Sequence, residues 1–224
     1  MYSFAQSPDV RVVDEPLYGH YLQSSGALHP GGEDVMASMD CDGNAVIREL
    51  MQRQAADPSR VLFIKHMAHH LIDLDLSFLQ STRSVFLIRD PREMLPSLTV
   101  QLPNATLTDT GLKRQWDLYS DLTDAGQTPI VLDSREILLD PGAIISILCD
   151  ELDIEFTDQM LNWKPGARKE DGVWAPHWYH AVHKSTGFAP YQAKSDFPDS
   201  LFPLLDDCNP FYEKLYEHAL RAEA

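Results

Sequence analysis

The residues best suited to chemistry lie directly after a short apolar run near the middle of the chain. Val85–Ile88 predicts a strand buried on both faces, as in a parallel sheet, and Arg89 follows at its carboxyl end. Asp90 has the side chain of a helix N-cap, and Pro91 and Glu93 complete the pattern of a capped helix start. A guanidinium beside a helix N-terminus favours an anion such as phosphate. The alternative is that Arg89 only pairs with a local acid.

Two other predicted strands also end in side chains that can do chemistry. Residues 9–14 form a strand that stops at a proline, which places Glu15 at its carboxyl end. Val61–Ile64 is a second buried run, and it ends at Lys65 and His66. Open α/β sheets bind their ligands at this edge. Because adjacent side chains of an extended strand point to opposite faces, Lys65 and His66 should not face one ligand together unless the strand has already ended.

Six of the nine histidines fall into two clusters, the second inside a long aromatic stretch at 165–190. Structureless loops of that length are usually functional. The clusters raise the alternative of a metal-dependent hydrolase, although no HExxH-type spacing is present. The other interpretations are hydrogen-bonded structural histidines, or a polar lining for a substrate pocket. The walls of that pocket would be Trp174, Trp178, Tyr179 and Phe188. The clustered residues are His66, His69 and His70, then His177, His180 and His183.

Short strands alternate with helices along the whole chain, and a fourth strand is predicted at Pro129–Leu132. This alternation implies βαβ units. We therefore expect an α/β protein with a three-layer α/β/α architecture. It should contain a parallel sheet of four recognisable strands and form a single domain over residues 1–224. The principal predicted helices are Asn44–Ala56 with Asn44 as its cap, Thr108–Ala125, and Phe202–Ala222.

The overall charge narrows the range of partners. The chain carries 34 acidic and 18 basic residues, and its net charge of −16 opposes nonspecific binding to nucleic acid or to an anionic membrane. An anionic ligand must therefore be held by local basic contacts. The three cysteines form no CxxC pair, no signal peptide is visible, and no apolar run approaches the ~18 residues of a membrane span. We expect a cytoplasmic protein with reduced thiols.

Three pieces of sequence, taken together and in order, carry a resemblance to a known family. They are Arg89 with Ser97 eight residues on, then residues 131–141 continuing to 152–156, and finally Arg168-Lys169 with Gly172 and Trp174. They resemble the 3′-phosphate arginine and serine, the "E-[DI]-L-x-x-D-P" turn with its helix, and the late basic loop of the sulfotransferase family. That family has a fold of the P-loop nucleotide-binding class, and the match covers nearly the whole chain.

The resemblance implies sulfuryl transfer from 3′-phosphoadenylyl sulfate (PAPS) to a hydroxyl or amine of a small acceptor, with no metal expected. Such a transfer needs in-line positioning, charge stabilisation and a base for the acceptor's proton. Lys65 and His66 resemble the family's lysine and catalytic histidine, and Glu15 is the competing base, because other branches place a glutamate at the end of the second strand. The implied nucleotide contacts are Arg89, Ser97, Arg168 and Lys169, and the predicted acceptor contacts are His20, Trp174, His177, Trp178 and His180.

The chain also departs from the family in three places, one of which is Asp133 and Ser134, where the family often has an aromatic residue before the acid. Pro96 lies inside the predicted helix and removes one backbone hydrogen bond, which would tilt Ser97 off its expected line. Family members begin with a strand and a loop that binds the 5′-phosphosulfate, whereas no Gly-rich or basic loop lies between Met1 and Asp9. We therefore expect an N-terminally truncated form of the fold. A catalytically inactive nucleotide-binding or scaffold protein is the alternative function.

Overall fold

The computed structural model of the protein describes residues 1–193 and 196–222. Strands and helices alternate along these residues, with short 3-10 turns between several of them. In chain order the elements are β1 (Val10–Asp14), α1 (Tyr18–Ser25), α2 (Gly32–Ser38), α3 (Gly43–Ala56), β2 (Val61–Lys65), β3 (Val85–Ile88), α4 (Pro91–Gln101), α5 (Leu107–Thr110), α6 (Leu112–Asp124), β4 (Ile130–Asp133), α7 (Ser134–Leu139), α8 (Pro141–Glu151), α9 (Ala175–Trp178) and α10 (Phe202–Tyr216).

The four predicted strands are present and parallel, which confirms the α/β class. β1 pairs with β2, with Asp14 opposite Lys65, and β3 pairs with β4, with Ile88 opposite Asp133. The strands form two two-stranded sheets, in place of the continuous four-stranded sheet that the alternation favoured. In each parallel pair the carboxyl ends come together at one edge, where α/β proteins place their ligands.

The first of two compact units comprises Met1–Phe78 with Cys149–Ala189, and it contains β1 and β2. Its interior includes an aromatic cluster in which His70 stacks on Tyr18 and on Tyr21, at centroid distances of 4.9 and 4.5 Å. Burial, and then the neighbouring histidine, hold the pKa of His70 well below its usual value. The imidazole therefore packs as a neutral aromatic ring.

The second compact unit comprises Leu79–Leu148 with the described residues from Pro190 onward, and it contains β3 and β4. In it, α10 packs against α4 and α6. After α10 the chain runs beside β4, where the Leu220 N–H donates to the Val131 carbonyl at 2.9 Å. The fully buried side chains of this unit include Leu95, Ile144, Leu205 and Leu215.

Three predicted helices have different bounds in the structure, and one of them, α10, ends at Tyr216 instead of Ala222. α3 is capped by Asp42, whose Oδ1 accepts the Ala45 N–H at 3.0 Å. Asn44, the predicted cap, instead accepts the Asp75 N–H at 3.0 Å. The long helix expected after residue 107 is divided into α5 and α6 by Gly111, whose φ of 73° is a left-handed conformation that glycine adopts without steric cost.

Candidate functional site

The charged ends of β1 and β2 meet at one edge of the first sheet. Because Asp14 lies opposite Lys65 in the parallel register, the Lys65 ammonium reaches both carboxylates at the end of β1. Its Nζ lies 3.3 Å from Asp14 Oδ1 and donates to Glu15 Oε1. The Glu15 N–H donates to the Lys65 carbonyl at 2.8 Å, which extends the ladder past β1. The structure thus brings two of the three predicted catalytic residues into direct contact.

A tyrosine that sequence reasoning assigned only to the wall of a substrate pocket completes this group. Tyr179 directly follows α9, and its hydroxyl donates to Asp14 Oδ2 at 2.7 Å and accepts from Lys65 Nζ at 2.7 Å. Glu15 Oε1 lies 3.4 Å from the same hydroxyl. Tyr179 is 165 residues from Asp14, so no local spacing could have identified it. The available signal was its position inside the aromatic stretch at 165–190. We call Asp14, Glu15, Lys65 and Tyr179 the strand-end cluster.

Glu15 has an unfavourable environment for a carboxylate. Asp14 and Glu15 are only 5% and 7% exposed. Burial raises the pKa of the Glu15 carboxyl, and the Lys65 ammonium opposes that effect. The Glu15 backbone also has a φ of 41°, a left-handed conformation that costs a non-glycine residue about 1–3 kcal/mol. Burial, an acidic neighbour and backbone strain at one residue are features that concentrate at functional sites.

His66, the third predicted catalytic residue, differs from Glu15 in its hydrogen bonding and in the direction of its pKa shift. Both of its ring nitrogens are buried, and neither has a hydrogen-bond partner among the residues that the structure describes. Burial, and then the Lys65 charge, lower the pKa of His66 to about 4. A neutral imidazole offers one nitrogen that donates and one that accepts. His66 is therefore a neutral base, whereas Glu15 is a paired carboxylate.

The predicted basic loop belongs to the same unit as the strand-end cluster. Residues 164–170 line an open cavity of about 310 Å³. Lys169 is 90% exposed, whereas Arg168 Nε donates to Glu170 at 3.3 Å. The loop is closed by Asp171, whose Oδ2 accepts the Arg168 N–H at 2.8 Å. Of the two basic residues predicted here, Arg168 is thus paired within the loop, whereas Lys169 is exposed with its Nζ 3.7 Å from Glu170 Oε1.

His20 is held by main-chain groups. It is buried, and its Nε2 lies 2.8 Å from the Ile72 carbonyl. Its Nδ1 lies 3.2 Å from the Cys41 carbonyl and accepts the Gly43 N–H at 3.3 Å. These contacts occupy both ring nitrogens, which favours the alternative of a hydrogen-bonded structural histidine over an acceptor contact.

The other predicted acceptor residues lie around α9. Trp174 is 4% exposed, and a Cβ at Gly172 would lie 2.0 Å from its ring, so this position requires glycine. Trp178 is partly buried against the same aromatic core. His177 and His180 are exposed. Trp174 thus contributes to the core, and the exposed histidines remain available to a ligand.

Arg89 stands at the end of β3 in the second unit. Its Nε lies 3.7 Å from Glu93 Oε2, and its side chain is 42% exposed. Asp90 caps α4 by accepting the Arg92 N–H at 2.8 Å, as predicted. The Tyr191 hydroxyl donates to Glu93 Oε1 at 2.6 Å. Arg89 therefore has the local acidic neighbour that the alternative foresaw, and its guanidinium still reaches solvent.

Ser97 lies about two turns along α4, which continues through Pro96 to Gln101. Its side chain is exposed, and its hydroxyl donates to the Met94 carbonyl at 2.8 Å. The proline therefore does not end the helix, and Ser97 stays on it.

Two histidines of the first cluster contribute to packing. His69 and His70 lie edge to face, with ring centroids 4.8 Å apart. Within residues 1–193 and 196–222, no group of three or more His, Cys, Asp or Glu side chains is arranged to hold a metal ion. In the same part of the chain, no helix combines the length and apolarity needed to cross a bilayer.

Comparison with known proteins supplies the family. A family model described as a sulfotransferase domain matches residues 1–219. Two curated proteins of Arabidopsis thaliana, branched-chain-amino-acid aminotransferase-like proteins 2 and 1, are 38% and 39% identical over 220 residues, or 97% of this chain. The chain spans only 39% of the length of each relative, and no solved structure matches it. The chain therefore belongs to the sulfotransferase domain family.

Proposed function

We propose that this chain transfers a sulfuryl group from PAPS to a hydroxyl or amine of a small acceptor in the cytoplasm. The observation that carries the proposal is the strand-end cluster, found in a chain of the sulfotransferase family. It supplies a cation and a candidate base together, at the sheet edge where α/β proteins bind ligands. Transfer chemistry requires both, because charge develops on the transferred group while the acceptor loses a proton.

Lys65 is the proposed source of positive charge in this chemistry. The Lys65 side chain is 30% exposed, and three oxygen atoms from three residues fix the position of its ammonium. A cation held in advance costs no reorganisation when charge develops in the transition state.

The electrostatics of the two candidate bases favour Glu15. A general base works best when its pKa lies near the working pH. Burial raises the pKa of Glu15 towards that range, whereas burial lowers the pKa of His66 to about 4, away from it. His66 is the alternative base, because its nitrogens have no other partner in the described part of the chain.

We also propose Arg89, Ser97, Arg168 and Lys169 as nucleotide contacts, each from observations in its own unit. Arg89 is 42% exposed beside the N-terminus of an 11-residue helix, and Lys169 is 90% exposed on a loop that lines an open cavity. Exposed basic groups of this kind fit phosphate oxygens. The bound donor would supply the sulfuryl group, and the residues of this chain would bind it, orient it and remove the acceptor's proton.

The proposal is tested by titrating 3′,5′-adenosine bisphosphate into wild type and Arg89→Ala by calorimetry. Loss of a charge-assisted hydrogen bond costs about 1.5–3 kcal/mol, which corresponds to roughly 10- to 150-fold weaker binding. The matched control is Arg92→Ala on the same helix, where the guanidinium lies 5.6 Å from the Phe197 ring. Equal affinities for wild type and Arg89→Ala would contradict the assignment. Equal losses in both variants would indicate only general charge attraction.

A further inference from the structure

Tyr179 is the member of the strand-end cluster that the sequence placed only in the wall of a substrate pocket, with no role towards Lys65 or Glu15. Its hydroxyl accepts from Lys65 Nζ at 2.7 Å, donates to Asp14 Oδ2 at 2.7 Å and lies 3.4 Å from Glu15 Oε1. We propose that Tyr179 is a positioning residue for the proposed transfer. Its hydroxyl holds the Lys65 ammonium in a position where it contacts Glu15 as well as Asp14. This inference rests on the proposed function, with Glu15 as base and Lys65 as cation.

The donor and acceptor geometry of the hydroxyl supports this role. A phenol has one proton to donate, and the 2.7 Å contact directs it to Asp14, leaving the oxygen to accept from Lys65. Asp14 is therefore supplied with a neutral donor, and Lys65 Nζ stays 3.3 Å from Asp14 Oδ1 while it donates to Glu15. Without the hydroxyl, the buried Asp14 carboxylate loses its short donor contact. Because a buried carboxylate must be compensated, the Lys65 ammonium should then move towards Asp14 and away from Glu15.

Tyr179 is itself held in place by the segment that follows the basic loop. Its N–H donates to the Ala175 carbonyl at 2.8 Å, and its carbonyl accepts the His183 N–H at 2.8 Å. The His183 ring also lies at the edge of the Tyr179 ring, and His183 Nε2 is 3.0 Å from Asp171 Oδ2. That same carboxylate oxygen accepts the Tyr2 hydroxyl at 2.7 Å. Contacts at Asp171 and at the Tyr179 hydroxyl are thus two of those that hold the segment in place.

These two contact points provide a matched pair of variants. Tyr179→Phe removes one hydroxyl from the strand-end cluster, whereas Tyr2→Phe removes one hydroxyl from Asp171. Both changes loosen the same segment, Tyr179→Phe by removing the hydrogen bonds with Asp14 and Lys65 and Tyr2→Phe by removing the one with Asp171, but only the first alters the partners of Lys65. A purely structural role for Tyr179 therefore predicts similar effects of the two variants on every property, including the titration of Glu15.

The discriminating readout is the titration of the Glu15 carboxyl, followed by NMR on protein with ¹³C-labelled glutamate. The ionisable groups that face Glu15 are Asp14 on β1, Lys65 on β2, Tyr179 after α9 and Tyr18 on α1. If the Lys65 ammonium moves away, the charged form of Glu15 loses its stabilising neighbour. Tyr179→Phe should therefore move the Glu15 midpoint upward by about one pH unit, while Tyr2→Phe leaves it at the wild-type value. In an active preparation, the acid limb of the transfer rate should move upward by the same amount.

A double-mutant cycle tests whether Tyr179 acts through Asp14. In an Asp14→Asn background the neutral amide attracts the ammonium less. Tyr179→Phe should therefore shift the Glu15 midpoint by less than half of the shift that it causes when Asp14 is present. Unchanged Glu15 midpoints in Tyr179→Phe, or the same shift in Tyr2→Phe, would overturn the proposal. If Tyr179→Phe does not fold, the cycle is run with Tyr179→Met, which also lacks the hydroxyl and for which the same midpoint shifts are expected. If transfer survives Glu15→Gln while Tyr179→Phe still shifts the Glu15 midpoint, Glu15 is refuted as the base and the positioning of Lys65 by Tyr179 still stands.

Discussion

Replacing His66 by leucine should make the protein more resistant to acid. In the folded chain both ring nitrogens of His66 are buried without a partner among the described residues, and burial lowers the pKa of His66 from 6.5 to about 4. A group whose pKa is depressed in this way contributes stability above its unfolded pKa and loses that contribution as the pH falls. The loss here should run from about pH 6.5 down to about pH 4.

The magnitude follows from these two pKa values. Between pH 7.5 and pH 5 the unfolded chain binds a proton at His66 and the folded chain largely does not. This difference corresponds to about 2 kcal/mol of the free energy of unfolding. Leucine has a similar volume and does not titrate. Over the same pH interval, the free energy of unfolding of His66→Leu should therefore fall by about 2 kcal/mol less than that of wild type.

Urea unfolding at several pH values measures this difference. Trp163, Trp174 and Trp178 all belong to the first unit, so tryptophan fluorescence reports chiefly on the unit that contains His66. The matched control is His180→Leu, which removes an exposed histidine and should follow the wild-type curve. Curves for wild type and His66→Leu that stay parallel to within about 0.5 kcal/mol would show that the buried ring protonates freely, and the reasoning from its burial would be refuted.

Two further predictions concern catalysis and stability. Glu15→Gln should keep bisphosphate affinity and reduce turnover by roughly 10²- to 10⁴-fold, with a smaller effect of His66→Ala; the reverse order in a transfer assay would assign the base to His66. Asp42→Ala should lower the free energy of unfolding by about 0.5–2 kcal/mol, because it removes the carboxylate that accepts the Ala45 N–H at the start of α3. Urea unfolding checks the second prediction, and no measurable loss would show that solvent caps α3 equally well.

Elements with strong local patterns were predictable from the sequence. Val85–Ile88 is a strand with the predicted bounds, because four consecutive apolar residues followed by a cap-type residue leave little choice. Asp90 caps α4 for the same reason. By contrast, Asp42 and Asn44 are both of residue types that cap helices, and the residue at which the helix begins decides which of them is the cap. Gly111 was missed because an isolated glycine inside an amphipathic pattern can be tolerated within a helix, at a cost of about 1 kcal/mol relative to alanine.

The candidate site was predictable only in part, because its contacts are not local. Glu15 and Lys65 could each be placed at a strand end, but their contact depends on the register that sets Asp14 opposite Lys65. Tyr179 reaches them from the far end of the unit, and nothing in its neighbouring residues specifies that partner. Periodicity therefore located the strand ends, whereas tertiary packing determined which side chains meet there.

The interleaving of the two units has a consequence for synthesis on the ribosome. Each unit is built from two separated stretches of chain, and the first of them is completed only by Cys149–Ala189. Asp14 emerges 165 residues before its partner Tyr179. At about 5–20 residues per second, this is a delay of roughly 8–33 s during which the β1 and β2 ends lack their tyrosine. We therefore expect nascent chains that stop before α9 to remain sensitive to protease in both units, and protection to arise late, when the final quarter of the chain is released.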